Sequence, residues 1–135
     1  MGVNSILDAC AIVAYLKGEP GAAVVKAIID DPSSVCYAHS LILCEVYYHY
    51  LRLYGEPTAR TVIDNLLAEG VIERPDMGRE FWERVGSHKA RGKISLANCF
   101  CVALAEELKG EVVTSDHAEF DRLVPLGICP ITFIR

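Results

Sequence analysis

Short runs of strand-forming residues alternate with longer helical stretches along the whole chain, and that alternation limits the folds open to it. The punctuation is brief: Gly18-Glu19-Pro20-Gly21, Asp31-Pro32-Ser33-Ser34, Gly55-Glu56-Pro57, Pro75-Asp76 and the segment from Pro125 to Pro130. Such Gly, Pro, Asp and Ser clusters mark turns. Between them, Val3 to Leu7 reads as a first strand ending at Asp8, and Val35 to Ala38 as a second. Val71 to Glu73 reads as an edge strand, and Glu111 to Thr114 and Ile131 to Ile134 as the last two. Helices are expected over Ala9 to Lys17, Ala22 to Asp30, Ser40 (as N-cap) to about Tyr54, and from Pro57 to near Gly70. Met77 to Ala90, Ser95 to Lys109 and a short stretch from about Ala118 complete the set. Strands separated by helices imply an α/β fold, a parallel sheet with helices on both faces.

At 135 residues the chain is sized for one domain, expected over 1–135. With 52% hydrophobic residues it can bury a substantial core. Its longest apolar runs, Ala11 to Leu16 and Cys99 to Ala105, fall well short of the roughly 18 residues that a membrane-spanning helix needs. No basic segment followed by an apolar stretch opens the sequence, so a cytoplasmic location is expected. The six cysteines form no C-x-x-C pair and read as reduced, buried small hydrophobes, and the four histidines lack zinc-site spacing. The formal net charge of −5 argues against a broad electrostatic footprint for nucleic acid. A cluster of acids around a metal would itself contribute to that charge.

The segment Ser-Leu-Ala-Asn-Cys-Phe-Cys-Val-Ala-Leu-Ala from Ser95 is apolar or small except at Asn98. A helix apolar nearly all round belongs in the interior, and a polar side chain there costs free energy unless it finds partners. Asn98 therefore serves a site or is a satisfied buried amide. In parallel α/β sheets, ligands bind outside the carboxyl ends of the strands. Asp8 closes the first strand, and Asp116 follows the strand ending at Thr114 by two residues. Helix starts after such strands bring Glu45 and Asn98 toward the same rim. Converging carboxylates offer hard oxygen ligands suited to Mg²⁺ or Mn²⁺. Each has a plainer reading: Asp8 as a helix cap, Glu45 paired with His49 on a solvated helix face, Asp116 as a turn residue. Tyr47, Tyr50 and Tyr54 form a stripe opposite Glu45, expected in the core or a dimer interface. Arg84, Lys89, Arg91 and Lys93 lie in an acid-free stretch leading to the Asn98 helix. Most such runs are solvated surface, but this one is placed where Arg91 and Lys93 would reach phosphate.

Four ordered blocks carry a resemblance over nearly the whole chain: Leu7-Asp8-Ala9-Cys10-Ala11, Leu43-Cys44-Glu45-Val46, Ser95-Leu96-Ala97-Asn98, and Val113-Thr114-Ser115-Asp116 followed by Phe120-Asp121. Together they resemble the PIN-domain family, most closely the VapC-type toxins of VapBC toxin–antitoxin pairs. The resemblance implies a five-stranded parallel sheet, an acidic cluster holding one or two Mg²⁺ or Mn²⁺ ions, cleavage of RNA, an antitoxin partner and a homodimer. Asp8, Glu45 and Asp116 carry over as catalytic metal ligands, and Asp121 falls where many members have a further polar residue. Asn98 stands where active members generally have Asp. An amide offers one neutral oxygen in place of a charged pair. The resemblance thus allows two activities: a metal-dependent endoribonuclease weakened at Asn98, or an impaired PIN domain that binds RNA or protein without cutting.

Overall fold

The computed structural model describes residues 2–135. Five parallel strands form one sheet in the order β3-β2-β1-β4-β5: β1 Val3–Leu7, β2 Ser34–His39, β3 Ile72–Arg74, β4 Glu111–Thr114 and β5 Ile131–Phe133. Seven α-helices connect them: α1 Ala9–Lys17, α2 Ala22–Asp30, α3 Ser40–Tyr54, α4 Glu56–Ala68, α5 Arg79–Arg91, α6 Leu96–Leu108 and α7 His117–Phe120, the last running into a 3₁₀ segment, Asp121–Leu126. The alternation in the sequence thus yields the expected five-stranded parallel sheet.

Successive strand side chains point to opposite faces, yet Ile6 and Leu7 on β1, and Val112 and Val113 on β4, are all fully buried. Both faces of the sheet centre are therefore covered, as parallel sheets require. The strand order runs outward from β1 in one direction to β2 and β3, then returns to the other side for β4 and β5. Right-handed crossovers place α1–α4 over one face and α5–α6 over the other. The strand order reverses between β1 and β4, and a crevice opens at their carboxyl ends.

Several local expectations shift. The N-cap of α3 is His39, not Ser40: its Nδ1 accepts from the Leu41 N–H at 3.0 Å. Ser40 is the first helical residue, and its hydroxyl turns sideways to donate to Glu73 at 2.7 Å. His39 also stacks between Phe81 and Phe100, so the β2 end is pinned from the far helical layer. The polar helix starts at Arg79, not Met77, because residues 75–78 are held as a loop. Arg74 forms a two-point ion pair with Asp76, whose carbonyl also bonds the His39 ring. Not all the cysteines are buried: Cys10 and Cys44 are exposed, and all six are free thiols. The tyrosine stripe fades along α3, from buried Tyr50 to exposed Tyr54. Among the described residues no helix is long and apolar enough to cross a membrane.

Candidate acidic site

The crevice is built on β1 and β4. Asp8 follows β1 and caps α1, its Oδ1 accepting the Ala11 N–H at 2.8 Å. The cap role is real, yet it uses only one of the two oxygens. The other accepts the hydroxyl of Thr114, the last residue of β4. That same Thr114 oxygen accepts the Asp116 N–H at 2.9 Å. One buried hydroxyl thus fixes both acids. Thr114 is absent from the residues expected at the site, and the Thr-x-Asp spacing was its only signal.

Asp116 caps α7, accepting the Glu119 N–H at 3.1 Å. Its other oxygen, 3.3 Å from the Asn98 amide nitrogen, accepts a hydrogen bond from it. Asn98 is nearly buried in α6, where Ser95 accepts its backbone N–H at 3.2 Å. The same amide nitrogen donates at 2.7 Å to Glu119, whose carboxylate also accepts the Ser95 N–H at 2.8 Å. Asn98 is therefore a satisfied amide that also joins the acids. Glu119 was not anticipated. The Asp116-x-x-Glu119 spacing reads as a capping box, but this carboxylate leaves its own helix and caps α6 instead. Asp121, marked by the resemblance, pairs with His117 at the surface at 2.7 Å.

Glu45 projects from α3 into a cleft of about 360 Å³ that Cys10, His49 and Ser115 also line. The Glu45–His49 pair of the plainer reading does not form: the His49 Nε2 is a buried atom without a partner. Electrostatics tie the acids together. Burial first, then the charges of Asp116 and Glu45, raise the Asp8 carboxyl to about 6 against the bonds from Thr114 and Ala11. Burial and the charges of Asp8, Asp116 and Glu45 push the Cys10 thiol up to about 11. Glu45 is raised by burial and then by Glu119. For Glu119, burial pushes upward, but the bonds from Ser95 and Asn98 outweigh it and hold its carboxyl below the ordinary range.

The donor chemistry suits a hard divalent cation. Among the described residues, no three His, Cys, Asp or Glu side chains already stand close enough to hold one. A cation would have to draw the acids together against their repulsion.

Replacing Glu119 with Gln tests the α6 link. The new amide keeps an acceptor for Ser95 but loses the charge, so urea melting should show a loss of about 1–2 kcal/mol. Unchanged stability would mean that these bonds contribute nothing net.

A PIN domain model matches residues 5–124, so the chain belongs to the PIN domain family. No curated protein matches it. Its backbone resembles several solved structures at low identity. DNA-bound VapBC from Salmonella typhimurium superposes with a TM-score of 0.73 at 14% identity, covering 98% of this chain and 99% of that one. VapBC-1 from nontypeable Haemophilus influenzae gives 0.71 at 16% identity, covering 97% and 98%. A Mycobacterium tuberculosis VapC toxin described as cleaving the sarcin–ricin loop gives 0.69 at 14% identity, covering 88% and 94%.

Proposed function

We propose that this chain is a Mg²⁺- or Mn²⁺-dependent endoribonuclease, the toxin of a toxin–antitoxin pair, working in the cytoplasm as a homodimer held by an antitoxin. The single observation that carries the reading is the Thr114 hydroxyl bridging Asp8 and Asp116 at the strand-order reversal of a PIN fold, with Glu45 lining the cleft beside Cys10 and Ser115. The likeness to VapBC structures supports the antitoxin, and the loop-cleaving neighbour supports RNA as substrate. The dimer rests on the family resemblance of the four sequence blocks.

Asp8, Asp116, Glu45 and the Asn98 side-chain oxygen are the groups that would hold the ion. Its chemistry is activation of water and neutralisation of charge at the phosphate. The rest of the work belongs to the chain. Thr114 fixes Asp8 and Asp116 at one spacing. Glu45 supplies a carboxylate with no hydrogen-bond partner to lose. Asn98 commits its amide nitrogen to Asp116 and Glu119, which leaves its oxygen as the only group it can offer. That a neutral oxygen stands there in place of a carboxylate is what supports the second reading, an impaired domain that binds RNA without cutting.

Incubation of single-stranded RNA with Mn²⁺, with Mg²⁺ and with EDTA decides between them. Cleavage should require the cation and fall by about 100-fold or more in Asp116→Ala. RNA that is bound but uncut under all three conditions would leave the binding module.

A further inference from the structure

A second cavity, about 150 Å³, lies between the end of α5, the 92–94 turn, α6 and the 3₁₀ segment. Its floor is apolar: Ile94, Val102, Leu123 and Ile128. Its rim is cationic, with Arg91, Lys93 and Arg122 and no carboxylate among the lining residues. We infer that this cavity is a nucleotide subsite for single-stranded RNA, taking one unstacked base while Arg91, Lys93 and Arg122 hold the adjoining phosphates. The inference rests on the ribonuclease reading and adds to it the place where the substrate strand is gripped.

Three observations carry it. The first is charge. A chain of net charge −5 cannot attract a polyanion over its whole surface, so binding depends on where its cations are left free of acids. The second is construction. His88 is more than nine-tenths buried in the cavity wall, its Nε2 2.6 Å from Glu106 and its Nδ1 3.3 Å from the Arg91 Nη2. The tautomer that satisfies both contacts donates from Nε2 to Glu106 and accepts at Nδ1 from Arg91. Glu106 and His88 thus aim the Arg91 guanidinium at the mouth. Arg122 is tethered by its bond to the Ala118 carbonyl at 3.3 Å, and Lys89 holds the turn by donating to the Ile94 carbonyl at 2.8 Å. The third is position. Ile94 in the floor immediately precedes Ser95, whose N–H holds Glu119. The cavity floor and the anchor of Glu119 are thus consecutive residues.

The ligand chemistry follows. A flat ring with an apolar face suits the floor, and anions on either side suit the rim; an RNA nucleotide has both. Proteins that bind RNA by sequence splay single-stranded bases and stack them on aromatic rings or guanidinium planes. The one aromatic ring among the lining residues is the buried His88 imidazole, so the apolar floor takes the base face while Arg91, Lys93 and Arg122 keep to the phosphates.

The test is binding in EDTA, so that it does not depend on cleavage. The probes are a fluorescein-labelled oligoadenylate and an abasic ribose-phosphate strand of equal length. Wild type should bind the base-bearing strand about tenfold more tightly, and Leu123→Trp, which fills the cavity, should lose that preference. Arg91→Ala and Arg122→Ala should each flatten the salt dependence by about one unit of log–log slope, while Arg60→Ala should not. His88→Leu should match Arg91→Ala, and His88→Gln, which keeps an acceptor, should recover part of the slope. In the unaltered protein, 4-thiouridine RNA should photocrosslink within 91–94 or 122–128, which covers the case in which Leu123→Trp fails to fold. Equal binding of the two strands by wild type, crosslinks confined elsewhere, or cavity variants that change only the oligomeric state in sedimentation would each overturn the subsite. The two ideas fail separately. Base-dependent binding without cleavage in Mn²⁺ removes the nuclease and leaves the subsite. Normal cleavage by Leu123→Trp removes the subsite and leaves the nuclease.

Discussion

Replacing Asp8 with Asn should make the metal-free protein more stable at pH 7 while ending its divalent-dependent chemistry. Asp8 is fully buried, and its carboxyl sits at about 6 instead of the ordinary 3.8. The fold therefore holds the proton more tightly than the unfolded chain does. The sign follows: this contribution is fully present below pH 3.8, drains away as pH rises through about 6, and is gone at neutrality. The interval corresponds to about 3 kcal/mol. An amide is not ionised and escapes that loss. It keeps the oxygen that caps Ala11 but faces a Thr114 hydroxyl already accepting from Asp116, which costs about 1 kcal/mol. The net gain at pH 7 should be about 2 kcal/mol, or about 5 °C in melting temperature for a domain of this size. Melts in EDTA at steps from pH 4 to pH 7 would show the variant overtaking wild type only as pH rises. A constant difference across that range would refute the account of Asp8.

The other large effect concerns Asn98→Asp. In wild type the amide nitrogen donates to both Glu119 and Asp116. A carboxylate at position 98 donates to neither and repels both, so the metal-free variant should lose about 2–4 kcal/mol. A bound cation reverses the balance. Affinity for Mn²⁺ should rise by about tenfold or more, since removing even an outer partner typically weakens binding by that much. Melting with and without Mn²⁺ should then show a larger metal-induced rise in the variant, accompanied by faster RNA cleavage. The Glu119 contact adds a sharper version. Combining Asn98→Asp with Glu119→Gln exchanges amide and carboxylate across the 2.7 Å contact and restores a donor–acceptor pair. The double variant should recover about 1–3 kcal/mol relative to the sum of the singles. Additive losses, with equal metal shifts in all four proteins, would mean that position 98 acts only as a packed amide.

The architecture was largely legible because its signals are local and repeated. Turn clusters separate runs of the right length, and the strand-end rule puts Asp8 and Asp116 at one rim. Asn98 announced itself as the lone amide in an apolar helix. What was hidden shares one physical cause: the same residue types serve local and distant partners. Glu119 carries a capping spacing, yet its carboxylate is engaged by another helix. Thr114 looks like any β-branched strand residue until its hydroxyl is seen between two acids. Ser40 is a better cap on paper than His39, but Glu73 from the neighbouring strand claims its hydroxyl. Of the tyrosine stripe expected in the core or a dimer interface, Tyr50 is in the core, while Tyr54 lies beyond the layer that covers it within this chain.

Thr114 and Asp8 lie 106 positions apart in sequence, and β1, the central strand, has β4 as one of its two neighbours. Contacts of that separation form only after a long loop has closed, and they slow folding for that reason. During synthesis, the first strand must wait with one edge unpaired until residue 114 has been made and cleared. Until β4 arrives, Asp8 lacks the Thr114 hydroxyl and the Asp116 charge that surround it in the fold. A ribosome-bound fragment that stops before β4 therefore has no centre to be inhibited. If the chain is a toxin, its synthesis supplies a delay: the hazard arises in a single late event, and a neutralising partner needs to be present only by then.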